Sequence, residues 1–176
     1  VVSDPATEYP ALYRLVDVRK VRDVRVTIPV LPGFMKSLRL AASLQLPVRL
    51  LPGQPGAALL EELQEAVQFY LHDPMVEAPV DFFHSSLAFM REMPVDDLWM
   101  ILEQDPNEFP TLDPEGNPRA PEGVAGPVPE NFVEAHATNL VATGAECATC
   151  RWEKLCRGYF KLPDPSYSCE GMVKVF

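Results

Sequence analysis

The residues best suited to chemistry in this chain are its four cysteines, which lie close together near the carboxyl end. Cys147, Cys150, Cys156 and Cys169 follow the spacing C-x2-C-x5-C-x12-C. In an iron–sulphur cluster, a C-x2-C pair brings two thiolates onto neighbouring metal corners, and two further cysteines complete the set. Four thiolates can also close a tetrahedral zinc site, although zinc sites usually contain two close pairs and this chain has one. The spacing therefore favours a metal centre, with an iron–sulphur cluster ahead of zinc.

Two other uses of the cysteines fit the sequence less well. Two disulfide bridges are typical of small secreted domains. This chain shows no signal-peptide pattern, and its 176 residues are enough to bury a core without bridges. A redox-active dithiol at Cys147 and Cys150 would leave the other two cysteines without a role. Metal ligation by all four is the simpler interpretation.

The residues between the cysteines carry an unusual local charge. Four basic side chains and one acid, Glu153, occur from residue 151 to residue 161, whereas the whole chain has a net charge of −10. The basic residues are Arg151, Lys154, Arg157 and Lys161. Nearby cations stabilise the reduced state of an anionic thiolate cluster. Trp152, Tyr159 and Phe160 are expected to shield such a centre from water.

The segment CATCRWEKLCRGY, residues 147–159, resembles the C-terminal SPASM region of radical SAM enzymes, notably those that mature peptides and proteins. In that family a C-x2-C-x5-C run and one later cysteine hold an outer auxiliary [4Fe–4S] cluster. The resemblance therefore implies all four cysteines as its ligands. The turn LDPEG at 112–116 is similar to the hairpin that precedes the run in the family, and 132–140 to the connecting helix, so the resemblance covers residues 109–176.

The chain also departs from that family. Pro121 and Phe160 stand where the family places cysteines of an inner auxiliary cluster, so that cluster should be absent. The C-x3-C-x2-C run that binds the radical-generating cluster occurs nowhere in the sequence. We therefore expect a non-catalytic subunit or module, whose partner is a separate catalytic protein or the remainder of a longer chain.

Charge and composition narrow the classes of partner. Residues 1–50 carry a net +4, residues 51–146 a net −16 and residues 147–176 a net +2. Such an acidic chain is not expected to bind nucleic acid or anionic membranes, and no apolar run approaches the ~20 residues of a membrane span. The acidic middle segment suits a basic partner or peptide. We expect a cytoplasmic protein.

Hydrophobic periodicity predicts the elements that position the cysteines. Alternating apolar residues predict strands at 24–30 and 48–51, and helical spacing predicts helices at 34–46, 59–71, 82–93, 94–103 and 132–140. Asp81 is the predicted N-cap of the helix at 82–93, a hairpin is predicted around Gly116, and Gly144 is the predicted stop of the last helix. Pro29 has no N–H to donate to a neighbouring strand, so we expect the first strand to lie at a sheet edge or to end near Pro29.

Other residues that could do chemistry have simpler interpretations. His84 lies beside two serines without an identifiable acid, and His136 falls on the apolar stripe of its helix. The acid pairs 61/62 and 96/97 diverge on a helix because adjacent residues point about 100° apart. We interpret the histidines as surface or core residues and the acids as a solvated face.

Together these patterns predict an α+β chain with a mixed strand and helix part at 1–108. That part is either a self-contained domain or the tail of a larger one. A small β-hairpin–helix–cysteine metal module is predicted at 109–176. The function predicted is that of a [4Fe–4S]-binding accessory protein or module of a radical SAM-type peptide-modification system, acting in electron transfer or in docking a partner or peptide. The alternative is a structural zinc-binding interaction protein without a redox role.

Overall fold

The computed structural model describes residues 1–175, which form two compact units. The first unit contains residues 1–87 and the last described segment from Glu170 onward, and the second contains Ala88–Cys169. These limits differ from the segments 1–108 and 109–176, which were drawn from composition. The second unit begins at Ala88 rather than at residue 109, because the helix that carries Trp99 packs against later residues such as Tyr159. All four cysteines belong to the second unit.

The first unit is built on two short parallel strands. β1 is Val26–Pro29 and β2 is Val48–Leu51, with Val26 opposite Val48 and Pro29 opposite Leu51. Val26 and Ile28 are buried, whereas the residues that alternate with them are partly exposed. The predicted period-2 pattern is therefore confirmed, and Pro29 ends its strand, where its missing N–H costs least.

Helices cover this small sheet and complete the first unit. A 3-10 helix at Tyr9–Arg14 leads into α1 at Leu15–Arg19, and α2 at Phe34–Ser43 connects the two strands. α3 spans Ala57–His72 and buries Leu63, Ala66 and Val67. α4 spans Asp81–Met90, so Asp81 is its first residue rather than the cap that precedes it. The chain is thus a mixture of helices and strands, as an α+β protein requires.

The second unit consists of short helices and one hairpin. β3 at Thr111–Leu112 pairs antiparallel with β4 at Pro118–Arg119, so the predicted hairpin around Gly116 is present. The other elements are α5 at Leu98–Ile101, α6 at Phe132–Ala142, a 3-10 helix at Glu146–Thr149, α7 at Glu153–Cys156 and a 3-10 helix at Tyr159–Lys161. α8 at Glu170–Val173 belongs to the first unit. Asp97 caps α5 by accepting a hydrogen bond from the Met100 N–H at 3.1 Å, so this helix begins later than predicted.

Four helices end in the same way. After α2, α4, α5 and α6 one residue adopts a left-handed conformation, and the next N–H bonds back to a carbonyl five residues earlier. This is the Schellman arrangement, which usually places glycine at the left-handed position. Here the left-handed residues are Gln45, Glu92, Glu103 and Gly144. Helices were predicted to end near three of these positions, at 46, 93 and 103, but the left-handed residue was predicted only at Gly144, because only glycine carries that sequence signal.

The burial of α3 gives a direct test of the first unit. Leu63 is fully buried, whereas Leu71 on the same helix is 44% exposed. Leu63→Ala is expected to lower the free energy of unfolding by about 2–5 kcal/mol, because it leaves a cavity. Leu71→Ala should cost well under about 1 kcal/mol. Urea unfolding of both variants checks this, and equal losses would contradict the packing of α3.

The left-handed helix ends give a second test. Glu92 is exposed and has φ of +56°, a conformation that costs a side-chain-bearing residue about 1–2 kcal/mol. Glu92→Gly is therefore expected to raise the free energy of unfolding by up to about 1 kcal/mol, since glycine's larger entropy loss offsets part of the gain. Glu61→Gly, the same substitution on the exposed face of α3, should lower that free energy by about 1 kcal/mol. Thermal unfolding should show melting temperatures that move in opposite directions. A lower melting temperature in both variants would refute the left-handed conformation of Glu92.

Candidate metal centre

The four cysteines lie on consecutive short elements of the second unit. Cys147 lies in the 3-10 helix Glu146–Thr149, Cys150 directly follows it, and Cys156 is the last residue of α7. Cys169 is the last residue of the unit. All four are free thiols, so no pair of them is joined as a disulfide. Cys147 is buried and the other three are partly buried.

The thiols lie within range of one another's charge. Burial is the main reason that the pKa of Cys147 is raised, and Cys150 adds to it. Burial likewise raises the pKa of Cys156 to about 11, with a contribution from Cys147. Burial raises the pKa of Cys169 to about 12, with contributions from Glu146 and from Cys156. Cys147 thus lies within electrostatic range of Cys150 and Cys156, and Cys156 within range of Cys169. Because the raised pKa values favour the protonated form, a metal ion that binds here must displace protons.

The sulphur of Cys156 is surrounded by main-chain donors. The chain turns sharply after α7, where Arg157 and Gly158 have φ of +48° and +76°. The backbone N–H groups of Phe160, Gly158 and Tyr159 oppose the rise in the pKa of Cys156 that burial causes. Donors that face a sulphur stabilise its charged form. The turn thus offsets part of the penalty that burial places on a charged Cys156 sulphur.

Two side chains from other helices hold the turn through its carbonyl groups. The indole Nε1–H of Trp99 on α5 donates to the carbonyl oxygen of Arg157 at 3.1 Å. Nε2 of His136 on α6 lies 3.1 Å from the carbonyl oxygen of Gly158, which assigns the proton to this nitrogen. The His136 ring also stacks on Phe132, with ring centroids 5.7 Å apart. The predicted packing role of His136 is thus confirmed. The same ring also holds the turn through its hydrogen bond to Gly158.

A buried ion pair lies beside the thiols. Lys161 is only 5% exposed, and its Nζ donates to Glu146 Oε1 at 2.5 Å and to the carbonyl oxygen of Tyr167. Glu146 Oε1 also accepts the N–H of Cys169 at 2.9 Å. Burial disfavours the charge of Lys161, but the hydrogen bond to Glu146 and the charges of Cys169 and Cys147 outweigh burial and raise its pKa. The hydrogen bond from Lys161 in turn lowers the pKa of Glu146.

The other basic residues of this segment point elsewhere. Arg157 pairs with Glu134 and lies 4.0 Å from Glu153, and the Arg151 guanidinium lies 5.1 Å from the Trp152 ring centroid. Lys154 is exposed. The three aromatic residues expected to shield the site, Trp152, Tyr159 and Phe160, are all buried. Of the basic side chains predicted to compensate a cluster, Lys161 is therefore the one that the structure couples to the thiols.

Four cysteine sulphurs are suitable donors for a thiolate-bound metal, whereas the described side chains are not arranged as a metal site. Across residues 1–175, no group of three or more His, Cys, Asp or Glu side chains is arranged to hold a metal ion. The four sulphurs provide the donor set that both iron–sulphur clusters and structural zinc require. Their convergence on one centre stays a prediction.

The remaining candidate residues have structural surroundings. His84 is exposed, and its Nδ1 lies 3.4 Å from the Tyr70 hydroxyl. Glu61 lies on the exposed face of α3, and Asp97 serves as the cap of α5. The predicted solvated face is confirmed for Glu61, whereas Asp97 precedes its helix as a partly buried cap. No sequence pattern indicated the Lys161–Glu146 pair, although an Arg-Gly step directly after a cysteine could have indicated the turn.

Comparisons with known proteins add no assignment. The chain matches no protein-family model, and neither the curated proteins nor the solved structures provide a match. Among the described helices, none is long and apolar enough to cross a membrane.

Gly158 provides a test of the turn. A β-carbon at Gly158 would lie 2.4 Å from Cδ1 of Leu140, whereas one at Gly144 would meet nothing within 4 Å. Both glycines have positive φ, so each alanine variant carries the same backbone strain. Gly158→Ala is expected to lower the free energy of unfolding by about 1–3 kcal/mol more than Gly144→Ala, because it adds a steric clash. Denaturant unfolding measures the difference, and equal losses would show that the close approach to Leu140 is absent.

Proposed function

We propose that this chain is a [4Fe–4S]-binding accessory protein or module of a peptide-modifying system. The observation that supports the proposal most strongly is the placement of four free cysteines on consecutive short elements of one unit. The donor-rich turn at Cys156 and the buried cation at Lys161 add to it, because both favour negatively charged sulphur. In this proposal the hairpin, α6 and the four cysteines, all within residues 109–169 of the second unit, form the module around the centre.

The four cysteines define what such a centre does. A [4Fe–4S] cluster bound by four thiolates supplies one-electron transfer and keeps no open position for substrate. The surrounding residues then have two tasks. The turn at Cys156 directs N–H groups to the sulphur, and the buried rings of Tyr159 and Phe160 limit the access of water. The proposed role is therefore electron transfer to or from a partner, or docking of a peptide.

The peptide-modifying context rests on the resemblance of residues 147–159 to the SPASM region. Because the chain has no C-x3-C-x2-C run, the catalytic chemistry belongs to a partner or to another part of a longer chain. Residues 51–146, with their net charge of −16, suit a basic partner or leader peptide through electrostatic steering. Four free thiols fit a reducing compartment, which supports a cytoplasmic location.

The second candidate is a structural zinc site in an interaction protein. The same turn supports it, since main-chain N–H groups around a cysteine sulphur stabilise a zinc thiolate as well as an iron thiolate. In this case the metal would contribute folding free energy to the second unit and no redox chemistry.

Metal analysis of protein purified without oxygen separates the two candidates. The iron–sulphur proposal predicts a brown protein with about four irons and four sulphides per chain, since this is the composition of the cluster. Colourless protein with one zinc per chain would support the structural alternative. Protein that binds neither metal, even after anaerobic reconstitution with iron and sulphide, would contradict both.

Cys169 is the most distant ligand in sequence, and its replacement tests the ligand set. Cys169→Ala leaves three thiolates, so the iron content after reconstitution is expected to fall to less than half of that of the wild-type chain. Ser168→Ala, a neighbouring substitution of similar size, should retain the full content. If Cys169→Ala also retains it, Cys169 is not the fourth ligand.

A further inference from the structure

We propose that Lys161 and Glu146 form a charge pair that tunes the thiol site in opposite directions. Lys161 favours the more negatively charged, reduced state of the centre, and Glu146 opposes it. This inference rests on the proposed iron–sulphur function and identifies the residues that regulate the same site.

The position of Lys161 makes its charge effective. Among the described residues 88–169 it is the one buried basic side chain. Its Nζ is fixed by two hydrogen bonds, to Glu146 and to the carbonyl oxygen of Tyr167. A charge that is held in place and withdrawn from water acts more strongly on its neighbours than an exposed one, because solvent and salt screen it less. The ammonium group is also coupled to the thiols on both sides of it, Cys147 and Cys169.

Glu146 acts on the same thiols with the opposite sign. It directly precedes Cys147, and its Oε1 accepts both the Lys161 ammonium and the main-chain N–H of Cys169. Beside a thiolate-bound centre this carboxylate is a fixed negative charge next to the ligand Cys169. Glu146 therefore favours the less negative form of a bound centre.

The two residues also have a structural role, since together they tie the 3-10 helix at Glu146–Thr149 to the segment before Cys169. A purely structural pair and a tuning pair predict different results. If the pair only supports the loop, removal of either partner should disturb the site in the same way. If the pair tunes the site through charge, removal of the cation and removal of the anion should shift its properties in opposite directions.

The experiment measures the midpoint potential of the anaerobically reconstituted protein at one pH, by optical titration with dithionite as the one-electron donor. Reduction adds one electron to the centre and makes it more negative. Lys161→Gln is expected to shift the midpoint to a more negative potential, because the reduced state loses its nearest cation. Glu146→Gln is expected to shift it to a more positive potential. Lys154→Gln, which removes an exposed cation of the same segment, should leave it within the error of the wild-type value.

The outcomes are distinguishable. Shifts of opposite sign support the charge pair, as does loss of the cluster from Lys161→Gln while Glu146→Gln retains it. Shifts of the same sign, no shift, loss of the cluster from both variants, or loss from Glu146→Gln alone would overturn the inference and leave the proposed function intact. A wild-type chain that takes up no iron–sulphur cluster would overturn both.

Discussion

The second unit depends on one constraint, which is the burial of the Cys156 sulphur at the end of a short helix. A sulphur removed from water needs donors if it is to carry charge, and the chain supplies them by turning through two consecutive left-handed residues, Arg157 and Gly158. The turn leaves two carbonyl groups that Trp99 and His136 engage from α5 and α6. The packing of these helices and the chemistry of the sulphur are therefore parts of one arrangement.

The charges of the unit follow from the same requirement. A chain with a net charge of −10 is a poor environment for anionic sulphur, and near the cysteines Arg157 pairs with an acid while Arg151 lies over an aromatic ring. The cation that reaches the thiols is the buried one, Lys161, and its burial is tolerable because Glu146 and a main-chain carbonyl satisfy it. The pair therefore places a fixed positive charge, on Lys161, and a fixed negative charge, on Glu146, beside the thiols.

Much of the fold was predictable from local pattern. The alternation at Val26 and Ile28, the apolar spacing on α3 and the turn residues around Gly116 each specify an element through neighbours in sequence. The left-handed conformations of Glu92 and Glu103 were not predictable, because glutamate carries no signal for them and tertiary packing imposes them. The four cysteines were identified from their spacing alone. The Lys161–Glu146 pair was missed because its partners are 15 residues apart and meet only after the chain folds back.

The central claim is that four thiols of one small unit bind a single iron–sulphur centre. X-ray absorption at the iron edge of the reconstituted protein tests it most directly, because it reports the atoms bound to iron. The account predicts an iron environment made of sulphur alone, together with a short iron–iron vector that only a cluster produces. Iron with oxygen or nitrogen neighbours and no iron–iron vector would contradict it.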